Sequence, residues 1–556
     1  MHRKLGLFLD TSVLALAISL LIFPTTFRYQ YSVLESITIF GRNFYVFASL
    51  YCAFTGLILY RSYAAWRLGS QRLILLFTLA IVFVNTEFWN LRVNFPIPIS
   101  DGEVNAAYAT VIGSTSHLFG FTSSYLSYFA VWPLMQIEIA SMSTLLGVTS
   151  SNSTVLLVTT WIFAVSVLAF YFFLKITHSA LHSMLAVFLL DAFSVHFQAY
   201  TATVPAFAFV FVFAELLLIS DVVLSKRQEP RFLVAIVITG LALGLSNFLT
   251  ALMMLFVLGA LGIGFRGFPR QLFVISGVSL LLPELFNFGF NVVISSGRAI
   301  LQGGVFGQLT SYVTSKVGGS LPAWVSGVTL FWQIFLLVPS TVAVMLLIVR
   351  RRKLSAEWSF LCWCVVGLIP YGVVLLGGVI YITVLLVAVP VFSIPLLLKA
   401  IGNRRFLLIT LCLIILVLSL PTFIAYNRNT ETYKFYPSDI ASNEYLNVRL
   451  AELPGSTIFA TGIEPPTFIS VNTTVINTGI PTAVTPNQLW VAWDVTLSQF
   501  NQGHGSKEAL LYSQRSVLPW VSLMGVPVDD HHWTIITERL EGYDQVYDNG
   551  NARIFA

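Results

Sequence analysis

VLLVTTWIFAVSVLAFYFFL, residues 155–174, runs through 20 positions without a charged residue, a glycine or a proline. A helix of that length rises about 30 Å, the thickness of a bilayer's hydrocarbon core, so the stretch reads as a transmembrane span. Working outward, comparable apolar runs recur at 7–26, 44–60, 73–90, 180–197, 203–225, 232–248, 249–265, 271–292, 327–349, 358–376, 378–398 and 406–425, separated by short charged or Gly/Pro-bearing breaks. This pattern predicts thirteen spans and an all-α polytopic membrane domain over residues 1–426. The whole chain agrees: of 556 residues 56% are apolar and 10% charged, with mean hydropathy +0.82, where soluble proteins carry roughly a quarter charged residues. A soluble enzyme, a nucleic-acid binder and a disordered scaffold are excluded.

The hydropathy stops near Tyr426, and the charge changes sign there. Residues 1–426 hold 23 Lys and Arg against 12 Asp and Glu; residues 427–556 hold 7 against 13. A pI near 8.9 therefore describes neither region and gives no argument for a nucleic-acid partner. The four cysteines, Cys52, Cys362, Cys364 and Cys412, all lie in apolar runs. The tail has none, and it is long enough to bury its own core without a disulfide. EYLNVRLAELPGSTIFATG, residues 444–462, reads as a helix, a Pro-Gly turn and a strand, with further strands expected around 473–477 and from Trp533 in WTIITERL. Residues 427–556 are thus expected to form a small α+β domain over the outer mouth of the membrane domain.

Basic residues beside spans stay on the cytoplasmic side, because carrying them across is costly. With the N-terminus inside, the inner connections collect 18 Lys and Arg, including Lys175, Lys226, Arg227, Arg231 and the run Arg350–Lys353. The outer ones keep five: Arg28, Arg42, Arg92, Arg298 and Lys316. An odd span count then puts the tail outside, and the protein is expected in the plasma membrane. Segment 130–149, AVWPLMQIEIASMSTLLGVT, is apolar enough to count as a span, but counting it would push the basic clusters outside. Gln136, Glu138, Ser141, Ser143 and Thr144 fit an interfacial or re-entrant helix instead. The first large outer loop then covers about 91–154. Sequons at Asn152 and Asn472 both fall outside on this map. The N-terminal MHRK and apolar run read as an anchor rather than a signal peptide, because the run exceeds a signal's apolar length and no small-x-small site follows it.

Most acids of the membrane region lie at or toward the outer half, with Glu215 deeper in its span. The sharpest feature is NFPIPISDGEVNAAY, residues 94–108. Pro96 and Pro98 force an extended chain and Gly102 permits a bend, which would present Asp101 and Glu103 as paired carboxylates just outside the bilayer. Such a pair can take a proton from a sugar hydroxyl or hold a divalent cation against a phosphate. The plainer reading is an Asp-Gly turn leading into a helix.

The chain resembles the C-type (GT-C) membrane glycosyltransferases, particularly poorly characterised archaeal members. The resemblance rests on Asp101-Gly102-Glu103; on Tyr128 and Trp132-Pro133 leading into the interfacial helix that ends at Gly147; on LSNFLTAL at 245–252; and on GYDQVYDNGNARIF at 542–555, which is similar to the family's terminal strand pair. It extends over nearly the whole layout. It implies hexosyl transfer, with inversion, from a polyprenyl-phosphate-linked donor to a glycan, lipid or protein acceptor of the cell envelope on the extracytoplasmic face. Asp101 would be the general base and Glu103 its partner. Asn247 stands where a proton carrier is expected, which argues against direct catalysis there and leaves it a substrate-binding position.

Arg298 and Lys316, two of the five outer basic residues, are candidates for the donor phosphate; headgroup anchoring is the alternative. Asp191, His196 and Gln198 at the outer end of the fifth span would line the acceptor pocket, or merely hold a helix end, and His117 could reach the acidic pair. A monophosphate donor needs only basic residues at its leaving group, whereas a diphosphate donor favours Mg²⁺ or Mn²⁺ at Asp101 and Glu103. Cys362 and Cys364 read as buried thiols, Asp529–His532 as a polar turn, and Trp490, Trp493, Trp520 and Trp533 as core before sugar platforms. A transporter or lipid flippase, or a non-catalytic relative that binds a lipid-linked sugar, are the alternatives. The sequence shows neither the inverted repeats nor the paired intramembrane charges of a transporter.

Overall fold

The computed structural model describes residues 11–20, 42–86, 101–116, 133–193, 204–226, 229–287, 354–375, five strands of the tail, and positions 345, 349, 392–393, 395–396, 445 and 538. The described helices are α1 (Thr11–Leu20), α2 (Arg42–Arg67), α3 (Gln71–Thr86), α4 (Asp101–Thr115), α5 (Leu134–Leu146), α6 (Ser150–Thr177), α7 (Ala180–Phe193), α8 (Val204–Leu224), α9 (Pro230–Ser246), α10 (Phe248–Gly264), α11 (Arg270–Asn287) and α12 (Ala356–Leu375). Among the described residues Ser150–Thr177 and Phe207–Leu224 are long and apolar enough to cross a membrane. The predicted spans 378–398 and 406–425 lie outside the described residues apart from helical positions 392–393 and 395–396, and 327–349 is described only at 345 and 349.

Helix ends follow local chemistry. Pro133 caps α5 and Gly147 closes it with φ +64°, a conformation that suits glycine. At 13 residues α5 is about 20 Å long, shorter than a bilayer core. Two residues later Thr149 accepts from the Asn152 amide at 3.2 Å and starts α6. The Asn152 sequon is therefore folded into the first turn of α6, with Ser153 and Thr154 buried, and is a poor acceptor for a glycan. His178 ends α6 at φ +52°, and the two-residue connection through Ser179 sends α7 back along it.

Packing uses aromatic rings in one place and missing side chains in others. Phe172 and Phe173 of α6 meet Phe213 of α8 and Phe392, and the Phe213 and Phe392 rings stack 5.7 Å apart. α9 lies against α11 at Gly244, where a Cβ would sit 2.7 Å from the Leu280 carbonyl oxygen and 2.9 Å from Pro283 Cγ. α12 meets α10 at Gly367, where a Cβ would lie 2.6 Å from Val257 Cα. Close backbone approach of this kind is how helices associate where lipid removes the hydrophobic drive. The outward faces are apolar: Val234 and Ile238 on α9, and Val274 and Val278 on α11, are each more than half exposed. At the other end of the polarity scale, Lys175 near the end of α6 pairs with Asp221 near the end of α8.

The tail contains a five-stranded sheet of order β2-β1-β3-β5-β4, with β1 Thr457–Gly462, β2 Thr474–Gly479, β3 Glu508–Ser513, β4 Gln545–Asp548 and β5 Ala552–Phe555. β1 is parallel to both β2 and β3, which long connections at 463–473 and 480–507 allow, while β4 and β5 form an antiparallel pair. Leu510 opposes Phe555 and Leu511 opposes Ile554, so the buried Leu510 and Ile554 lie on opposite faces and both faces are covered. Tyr445 is helical, and its hydroxyl donates to the Val546 carbonyl at 3.1 Å. The strand expected in WTIITERL is not seen at its one described position: Glu538 is helical, in keeping with the helix-forming Glu-Arg-Leu around it.

Candidate functional site

Asp101 is the first residue of α4 and Glu103 lies in its first turn. Of the two readings of Asp-Gly-Glu, a bend or a turn leading into a helix, the structure has the helix start, with Gly102 buried within it. The residues after Glu103 explain the choice: Val-Asn-Ala-Ala-Tyr-Ala continues a helix readily, and acids in a first turn complement the dipole there. Among the described residues no group of three His, Cys, Asp or Glu is placed to hold a metal ion.

α4 is clamped in place by small and polar groups. Gly102, Asn105, Ala106 and Ala109 form one buried face at spacings of three and four, and Tyr108 is fully buried beside it. α4 packs on α5 and α6. The Gln136 amide of α5 donates to Asn105 Oδ1 at 2.7 Å, buried from solvent. Thr110 is hydrogen-bonded to Ser150 at the start of α6 at 2.8 Å. Burial pushes the Tyr108 phenol up to about 12, so it stays protonated. Burial also pushes the Glu138 carboxyl of α5 above its usual range, against an opposing pull from the Trp161 indole of α6. Glu138, Asn105 and Gln136 were not singled out as site residues from sequence. The available signal was a polar side chain inside an apolar helix, which names no partner.

No family model matches the sequence, and no curated protein does. A solved structure is similar. It is the archaeal oligosaccharyltransferase AglB from Archaeoglobus fulgidus, in complex with an inhibitory peptide and a dolichol-phosphate. The likeness covers 86% of this chain and 74% of that one, at 10% identity and a TM-score of 0.45.

The remaining candidates divide by location. Asn247 is the single residue between α9 and α10 and is 1% exposed. Its Oδ1 accepts from the Thr250 amide and hydroxyl, both at 2.9 Å, so its described contacts are those of a buried helix cap. Asp191 stands in the last turn of α7, a helix that packs on α6 and α3, whereas α4 packs on α5 and α6. Both helices thus lean on α6. His117, Tyr128, Trp132, His196, Gln198, Arg298 and Lys316 lie outside the described residues, as do Asp529–His532 and the four tail tryptophans. Cys362 and Cys364 are buried free thiols in α12.

Proposed function

We propose that the chain is a membrane glycosyltransferase that moves a sugar from a polyprenyl-phosphate-linked donor to an acceptor on the extracytoplasmic face. The observation that carries this reading is the acidic Asp101-Gly102-Glu103 turn at the start of a helix anchored to two others by the Asn105–Gln136 and Thr110–Ser150 hydrogen bonds. A carboxylate held on a rigid, short helix that follows a span is suited to taking a proton from an acceptor hydroxyl or amide at the membrane surface. Asp101 is the general base, and Glu103 is its partner and orients the acceptor. Arg298 and Lys316 counter the charge that develops on the departing phosphate. Asp191, His196, Gln198 and His117 line the acceptor side, and Tyr128 and Trp132 lead into α5.

Purified full-length protein in lipid nanodiscs, given a radiolabelled polyprenyl-phosphate sugar, tests the reading. Release or transfer of the sugar supports it. Movement of the intact donor between leaflets of proteoliposomes without release would favour a flippase, and binding without either would favour a non-catalytic relative. A dolichol-phosphate sugar and a peptide are one donor and one acceptor to try; glycan and lipid acceptors are the others.

A further inference from the structure

Glu215 is the one acid in the middle of a described membrane helix. It stands twelfth of 21 residues in α8, while Gly240 is eleventh of 17 in α9 and Ser276 and Ser279 are seventh and tenth of 18 in α11. Glu215, Gly240 and Ser279 meet, and Ser276 lies one turn before Ser279 on the same face of α11. A Cβ on Gly240 would lie 2.2 Å from Ser279 Oγ and 3.7 Å from Glu215 Oε1, so the carboxyl and the hydroxyl converge on the bare backbone of α9. Glu215 and Ser276 are 0% exposed and Ser279 3%. Among the described residues, neither oxygen of Glu215 nor Ser276 Oγ has a hydrogen-bond partner, and Ser279 donates to the Ser276 carbonyl at 2.9 Å.

Among the described residues no opposite charge is at hand along the helices packed around it. On α6 the titratable residues are Tyr171, which is exposed, and Lys175, which pairs with Asp221 near the end of Glu215's own helix. α9 offers Arg231 in its first turn, paired with Glu229 at 2.6 Å. α11 has Arg270 as its first residue and Glu284 beyond Pro283, and α10 has no charged residue. An unpaired carboxylate in such a place is far more costly than a neutral acid, whose O–H can donate to an unpartnered hydroxyl.

We propose that Glu215, with Ser279 at Gly240 and Ser276 one turn away on the same face of α11, is a proton-binding site in the middle of the helical bundle, carrying Glu215 as the neutral carboxylic acid at neutral pH. The carboxyl ionises only when water reaches it, so proton loss is tied to separation of α8 from α9. This site is independent of the sugar-transfer reading.

Infrared spectroscopy of the full-length protein in nanodiscs tests it. At neutral pH the wild-type-minus-E215Q difference should contain the carbonyl stretch of a protonated carboxylic acid. ¹³C-labelled glutamate should shift that band in the unsubstituted protein, which assigns it to a glutamic acid, and it should persist in Glu138→Gln, which sets Glu215 apart from the other acid raised by burial even if E215Q folds poorly. Ser276→Ala should move the band by removing a buried hydroxyl that the acid's O–H can reach. A carboxylate signature for Glu215 at neutral pH overturns the proposal. Loss of the band on adding excess sodium chloride also overturns it, since the site would then hold sodium rather than a proton.

Discussion

The side-chain amide of Gln136 donates to Asn105 Oδ1 at 2.7 Å, joining two helices whose residues are 31 positions apart in sequence. Because the contact is buried, truncating either partner removes a buried hydrogen bond from the other. Asn105→Ala and Gln136→Ala are each expected to lower stability by about 1–3 kcal/mol. The double variant should lose less than the sum of the two, and thermal unfolding in detergent measures all three.

Asp101→Asn is expected to reduce sugar transfer by roughly 10²- to 10⁴-fold, the contribution of a general base. The melting temperature should stay nearly unchanged. Glu103→Gln should follow the same pattern less severely. Turnover and melting temperature, measured on the same preparations, separate the two effects; full turnover in Asp101→Asn would remove the proposed base.

Glu138 supplies a pH-dependent expectation. Its carboxyl is raised by burial, so the folded state holds the proton more tightly than the unfolded chain. That contribution is fully present below the ordinary carboxylate range and is lost as pH rises through the raised value. Glu138→Gln should therefore raise the melting temperature at neutral pH and make little difference in acid. A variant that destabilises equally at both pH values would contradict this.

Gly367→Ala places a methyl carbon 2.6 Å from Val257 Cα, a backbone atom that cannot rotate away. The expected loss is about 1–3 kcal/mol, as for overpacked cores. Gly113→Ala, at a glycine with open space around it in α4, is the control and should be neutral or slightly stabilising. Unfolding midpoints in denaturant decide between them.

Orientation is open to chemical labelling. The Lys175–Asp221 pair puts the ends of α6 and α8 at one level. With the N-terminus inside, a cysteine at Gln228 should be shielded from an impermeant maleimide in intact cells, whereas one at Thr310 or Phe500 should react. Reaction at Gln228 would invert the map.

The amino-acid sequence by itself determined where the helices run. Bilayer thickness sets the length of an apolar run, and charge is costly to bury, so 155–174, 203–225, 232–248, 249–265 and 358–376 could each be read within a few residues of the observed helices. Pro133 and Gly147 marked the ends of the short α5 for equally local reasons. Tertiary structure decided what local preference leaves open. Asp-Gly after two prolines permits a bend or a helix start, and packing of Gly102, Asn105 and Ala106 against α5 and α6 selected the helix. The parallel placing of β2 and β3 on either side of β1 depends on long connections whose paths no local pattern dictates. Glu215 was visible as an acid in a span, but its surroundings were not. They come from α9 and α11, whose register is set by which glycines admit Ser279, Leu280 and Pro283, a steric fit between distant segments.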